Sequence, residues 1–371
     1  MNILYLQYAN PWNPYSRGGV GRINHEVFQY LAQSHSIVVV TGYMEDTPVE
    51  NLVDGVLYRQ AGTSRHKIAS RVLFSIAAAT VDLEPYDLVI VPWDRYAPVH
   101  IRLDTKPYIL ELHANYFQMP AKVGLLEPAA RLLLRLALKR AAYLSTVSRF
   151  LLEMPEIRQR RFRSSKVVHN GVSQAFFDEP GDFKDGSYLL FIGRLDIRTK
   201  GIDTLLSAYQ LSGLDIPLVI AGDGNDKSSV EDLISSKGLS GRVRMEGWVE
   251  AQRKQEMIRG SIAVCVPSRS EGFGLVAIEA MAMGRPVIGS SVEGLNEVVE
   301  HGVSGLLFER ESIDGCASAM RSVSLDIQLR IRLMKGARAK AEQFAMKDTV
   351  QGREQFLQEV LKDHNQSERK A

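Results

Sequence analysis

Short apolar runs alternate with segments of helical period through most of this chain, in two successive series. Apolar runs of this length bounded by turn residues read as buried strands, and their alternation with helices marks βα units on parallel sheets. In the first series NILYLQY, SIVVVTG, DLVIVP, PYILELH and YLSTVS read as strands, and Val20 to Ala32, Lys67 to Val81 and Pro128 to Ala142 as helices. KVVHNGV closes it with a strand and a turn. From Ser173 to Gly186 the composition shifts to turn-forming and acidic residues, which predicts a linker. The second series has the strands YLLFIG, PLVIAG, RVRMEG, IAVCVP, RPVIGS and GLLF. Helical patterning returns at Leu325 to Phe344 and Lys347 to Leu361, ahead of a polar tail. With 371 residues the chain exceeds what one core usually fills, so the expectation is α/β, two domains with a sheet each. Open α/β sheets bind ligands beyond the carboxyl ends of their strands, which makes a cleft between the domains the default site.

Bulk properties remove several function classes. A net charge of +2 is too small for nucleic acid to be the main partner. Residues 1–177 hold 20 Lys and Arg against 14 Asp and Glu, and the remainder 25 against 29, so only the first half leans basic. No stretch reaches the roughly 20 apolar residues that span a bilayer. The greasiest, LLEPAARLLLRLALKRAAYL, is broken by Arg131, Arg135, Lys139 and Arg140. MNILYLQYANP lacks a basic n-region and reads as a first strand, not a signal peptide. The two cysteines, Cys265 and Cys316, form no motif, which points to a reducing, cytoplasmic setting.

The segment PSRSEGFGLVAIEAMAMGRPVI carries the most chemistry. It leaves the strand IAVCV, crosses a loop with Gly272 and Gly274, and enters a helix near Leu275. Free backbone N–H groups and about half a positive charge at a helix N-terminus make a seat for phosphate. Glu271 and Glu279 flank that seat. Beside a diphosphate they would be repelled unless they faced hydroxyls, as acidic residues do at ribose in dinucleotide sites. A lone glycine loop would more often be an ordinary βα turn; two acids, two glycines and the small-residue helix EAMAMG together are far more specific.

That string resembles the E-x(7)-E signature of retaining GT-B glycosyltransferases, and closely that of glycosyltransferase family 4. Other landmarks follow in the family's order: Arg17-Gly18-Gly19-Val20-Gly21, LEL before His113, Ser145 to Ser148, His169-Asn170-Gly171-Val172, Gly193-Arg194-Leu195 with Lys200-Gly201, Ala221-Gly222-Asp223-Gly224, Gly247-Trp248-Val249 and Gly294 to Val298. Ser173 and Ala114 depart from it, since the family often has Asp at both places. The resemblance implies GT-B architecture, two Rossmann-like domains facing across a cleft. Residues 1–177 would form an acceptor-binding domain, with a C-terminal helix of about 347–363 packing back on it. Residues 178–346 would bind the nucleotide sugar.

The resemblance also implies a retaining transfer from a nucleoside-diphosphate sugar to a hydroxyl of a glycan or lipid-linked acceptor, in polysaccharide or lipopolysaccharide assembly. Arg194 and Lys200 in GRLDIRTKG would clamp the diphosphate. Either alone would more often be a solvated charge; with the glutamate loop in the same domain, the clamp is favoured. Glu271 would hold a donor-sugar hydroxyl, and Glu279 the ribose. His113 ends the strand PYILELH; a lone histidine is more often structural, but the family's strand-end histidine hydrogen-bonds the donor sugar. Donor contacts are further implied for Gly18, Gly19, Gly222, Gly247, Trp248, Phe273, Gly274 and Leu275. The Gly18–Gly21 loop is neither a dinucleotide fingerprint nor a Walker loop.

No histidine, cysteine or acid spacing suits a metal, and two cations with a helix N-terminus can balance a diphosphate. No metal or cofactor is therefore expected. Arg131 to Arg140 and Arg158 to Lys166 read equally as solvated faces or as attraction to an anionic membrane, so peripheral association at the inner face stays open. Two alternatives also stay open, a GT-B sugar-nucleotide epimerase and a catalytically silent sugar-nucleotide-binding protein.

Overall fold

The computed structural model describes residues 1–13, 19–62, 64–93, 105–117, 127–178 and 186–368. The chain divides into two compact units, residues 1–171 with 346–371, and residues 172–345. The division falls at Gly171/Val172, six residues ahead of the expected boundary. Hydrogen bonds account for this. Val172 donates to Phe344 O at 2.8 Å, and Arg338 donates to Phe177 O at 2.7 Å, so residues 172–177 are tied to the second unit. The centre of the expected linker, residues 179–185, lies outside the described residues.

The first unit holds one sheet. Its strands are β1 (Asn2–Gln7), β2 (Ser36–Thr41), β3 (Glu50–Val53), β4 (Val56–Gln60), β5 (Leu88–Trp93), β6 (Tyr108–Leu112), β7 (Tyr143–Thr146) and β8 (Ser164–Val167). Their order is β3-β4-β2-β1-β5-β6-β7-β8. Every pairing is parallel except β3 with β4. β5, β6 and β7 are buried along their whole length, as strands covered on both faces must be. The β3–β4 hairpin was not anticipated. It turns at Asp54 and Gly55, whose φ values of 52° and 81° are the pair a two-residue hairpin turn requires.

The C-terminal helix Met346–Glu368 belongs to this unit and is fastened along it. Thr349 donates to His169 O at 3.0 Å, His35 meets Glu354 at 2.7 Å, and Tyr143 donates to Asp363 at 2.6 Å. Phe356, Leu357 and Val360 on this helix are buried.

The second unit holds β9 (Tyr188–Ile192), β10 (Leu218–Ala221), β11 (Val243–Gly247), β12 (Ser261–Val266), β13 (Val287–Ser291) and β14 (Gly305–Glu309). Their order is β11-β10-β9-β12-β13-β14, all parallel. The direction of winding reverses between β9 and β12, and that switch point is where an open α/β sheet leaves a crevice. Cys265 and Cys316 are free and buried in this unit's core, and burial pushes the Cys265 thiol up to about 12, so it does not ionise near neutral pH.

Candidate active site

The two segments richest in expected site residues leave the sheet at its switch point. Gly193 to Lys200 follows β9, and Pro267 to Gly274 follows β12. Backbone bonds stitch these carboxyl-end loops together. Gly193 donates to Ala221 O at 3.0 Å, Leu195 to Asp223 O at 2.9 Å, Gly222 to Gly247 O at 2.6 Å, and Arg269 to Thr199 O at 2.9 Å.

A short helix, Ile197–Lys200, presents the lysine. Asp196 caps it by accepting from Thr199 N at 3.1 Å, and Gly201 ends it with φ 64°. A Cβ on Gly201 would lie 2.1 Å from Pro267 O, so glycine lets this turn press against the loop after β12. There Lys200 Nζ is ion-paired with Glu271 Oε1, which also accepts from Ser268 Oγ at 2.8 Å. Both side chains are largely buried, at 22% and 14% exposure. Arg269 braces the arrangement. It donates to Ile197 O at 2.7 Å and to both carboxylate oxygens of Asp203, at 3.0 and 2.8 Å.

Gly274 is the N-cap of helix Leu275–Ala282, with φ 102° and no side-chain cap. The glycine loop that the sequence suggested as an anion seat therefore leads into a helix N-terminus. Glu279 lies on this helix and is ion-paired with Lys254 of helix Ala251–Gly260, at 15% and 16% exposure. Each acid of the signature thus carries its own lysine. Arg194 is exposed and makes no ion pair among the described residues, and Arg198 is exposed as well. Gly222 is required by packing, since a Cβ there would meet Gly193 O at 1.8 Å. Gly247 ends β11, and Trp248 after it is 47% exposed. Phe273 is buried against Phe344, with ring centroids 5.5 Å apart, so any donor contact from it must come from its main chain.

In the first unit Gly19 opens helix Gly19–Leu31, and Gly18 lies outside the described residues. His113 follows β6 and is buried. Its Nε2 sits 3.0 Å from Glu111 Oε2, and the other carboxylate oxygen of Glu111 is ion-paired with Arg353 of the C-terminal helix. Burial alone would raise the Glu111 pKa, but the Arg353 charge and the His113 hydrogen bond outweigh it and hold it down to about 2. Lys254, Ser268, Arg269, Glu111 and Arg353 were not singled out from the sequence. Ser268 and Arg269 lay inside PSRSEGFGLVAIEAMAMGRPVI and Glu111 inside LEL, without a role of their own; Lys254 and Arg353 had no local motif. Among the described residues no cluster of three or more His, Cys, Asp or Glu could hold a metal ion, and no helix is long and apolar enough to cross a membrane.

Comparison with known proteins adds a family match over part of the chain. Residues 172–340 match the model described as "Glycosyl transferases group 1". An uncharacterized glycosyltransferase of Methanocaldococcus jannaschii is 30% identical over 194 residues, 52% of this chain and 53% of that one. The chain spans about half the length of the curated relatives it matches. Among solved structures, sucrose-phosphate synthase from Thermosynechococcus elongatus superposes with a TM-score of 0.79 at 19% identity, covering 98% of this chain and 100% of that one. Anabaena HepE, in complex with UDP and glucose, superposes with a TM-score of 0.77 at 18% identity, covering 97% and 100%. At these identities the likeness establishes the fold, and it is the GT-B class expected from the sequence.

Proposed function

From a chain whose residues 172–340 match the glycosyl transferases group 1 model, we propose a retaining glycosyltransferase that uses a nucleoside-diphosphate sugar. The observation that carries the reading is the Lys200–Glu271 pair at the switch point, beside the uncapped helix entry at Gly274. The acceptor would be a hydroxyl of a glycan or lipid-linked molecule in polysaccharide or lipopolysaccharide assembly.

The chemistry follows from charge. Glu271 with Lys200, and Glu279 with Lys254, are each neutral as pairs. A diphosphate arriving at the Gly274 helix entry brings about two negative charges, offset by Arg194, by the partial charge of the helix and by Lys200 turning toward phosphate. As the bond to the anomeric carbon breaks, the leaving diphosphate gains charge, and these preset cations and amides stabilise it. Glu271, released in part from Lys200, accepts from a donor-sugar hydroxyl. Glu279 accepts from the ribose, and His113 from a further sugar hydroxyl. No step calls for a metal.

The test is thermal unfolding with UDP-, GDP- and ADP-sugars. HepE was crystallised with UDP and glucose, so UDP-glucose is the first donor to try. A cognate donor at 100 times its Kd is expected to stabilise by about 2.7 kcal/mol. No shift with any of the three would remove the reading.

A membrane-facing acceptor is favoured by helix Glu127–Arg140. It exposes Leu132, Leu133 and Leu136 at 55%, 42% and 44%, interleaved with Arg131, Arg135, Lys139 and Arg140. Apolar and basic residues on one helix suit an anionic lipid surface. The chain is expected to sediment with anionic vesicles and not with neutral ones. Failure to bind anionic vesicles at low salt refutes this part.

A further inference from the structure

Arg353 lies 242 residues from Glu111 in the chain, and the two form a buried ion pair inside the first unit. Arg353 is 4% exposed, Glu111 1% and His113 7%. A buried carboxylate with a guanidinium on one oxygen stays ionised and can only accept hydrogen bonds. Its second oxygen faces His113 Nε2 at 3.0 Å, so that nitrogen must carry the proton. His113 Nδ1 is buried and has no hydrogen-bond partner among the described residues. A buried ring nitrogen without a partner costs free energy unless something outside the chain fills the role.

We propose that Arg353, on the C-terminal helix, is a positioning residue for His113. It keeps Glu111 ionised, Glu111 fixes the His113 proton on Nε2, and Nδ1 is left as the acceptor for a sugar hydroxyl. The last step rests on the glycosyltransferase reading; the first two do not. The C-terminal helix thereby serves the site as well as the stability of the unit. Swapping Arg353 for lysine preserves the charge, and swapping it for methionine preserves only bulk.

The decisive measurement is nitrogen NMR of the full chain labelled at histidine, at mildly alkaline pH. Wild-type His113 is expected to show a protonated, pyrrole-type Nε2 and a pyridine-type Nδ1. In E111Q the side-chain amide oxygen stays with Arg353, which can only donate, and the amide NH2 turns to His113. The histidine must then accept at Nε2, and the tautomer inverts. For turnover of the donor, R353M is expected to lower kcat by about tenfold to a hundredfold, by analogy with the loss of a partner that orients a metal-ligating histidine. R353K is expected to recover most of that loss, and donor KM to change little in either. If R353M does not fold, E111Q carries the test alone, through its inverted tautomer and a similar fall in kcat.

A wild-type ring protonated on Nδ1, or an E111Q ring with the wild-type tautomer, overturns the proposal. So does an inverted tautomer in E111Q with undiminished turnover. A wild-type chain that turns over no donor counts against the proposed function, while the tautomer result still decides the Arg353–Glu111–His113 linkage.

Discussion

Lys200→Ala is expected to lower turnover by about thirtyfold to a thousandfold, or about 2 to 4 kcal/mol, as when a preset donor to a developing oxyanion is removed. Two effects combine. In the proposed reaction the leaving diphosphate would lose a cation, and Glu271 loses the cation with which it is paired. An unpaired carboxylate beside a diphosphate then adds repulsion of its own. The pairing therefore predicts non-additivity. In the proposed reaction Glu271→Gln alone would remove an acceptor for the sugar hydroxyl and should also slow the reaction. The double variant should be less impaired than the two single losses multiplied, because a neutral amide in place of the carboxylate no longer repels phosphate when Lys200 is absent. Steady-state kinetics on the four proteins, with thermal unfolding as a control for folding, makes the check. Turnover of Lys200→Ala near that of the wild type would sink the assignment. Strict additivity would mean that the Lys200–Glu271 contact has no part in catalysis.

Much of this was legible in the sequence because it was local. The strands of both series were readable as apolar runs, and β12 and its helix were readable because Gly274 sits between them. The glutamates and Lys200 stood in recognisable spacing. What escaped was either a missed local signal or a distant one. Asp54-Gly55 is a strong hairpin pair, yet the flanking runs NLV and VLYRQ are short and were passed over. Lys254 sits in a charged helix, AQRKQEMIRG, where nothing separates it from its neighbours. It matters only because that helix brings it to Glu279. Arg353 is likewise ordinary in sequence, and Glu111 stood out only as part of the LEL run before His113. Only the return of the C-terminal helix to β6 makes them a pair, and no motif can report a contact between such remote positions.

Breaking that pair is also expected to destabilise the first unit. Replacing Arg353 with Met leaves Glu111 buried and without its cation, and breaking a buried pair this way costs about 3 to 5 kcal/mol. Removing both charges, as in Arg353→Met with Glu111→Leu, should cost much less, since no uncompensated charge remains. The loss should depend on pH in a definite direction. Glu111 is held at about 2 against an ordinary value of 4.5, because Arg353 and His113 outweigh its burial. A depressed carboxyl pKa stabilises the fold above the unfolded value, here by about 3 kcal/mol, and that contribution fades as pH falls from about 4.5 through about 2. In Arg353→Met the burial stays and the main opposing charge is gone, so the variant no longer has this contribution to lose. Its deficit against the wild type should be greatest near neutral pH and narrow below about 4.5. Urea unfolding at pH 7 and pH 4 can be followed by tryptophan fluorescence in a Trp248→Phe background, because the other two tryptophans, Trp12 and Trp93, lie in the first unit. A deficit of equal size at both pH values would show that packing, not charge, is what Arg353 contributes. A deficit under about 1 kcal/mol at neutral pH would mean that Glu111 finds another partner once Arg353 is gone.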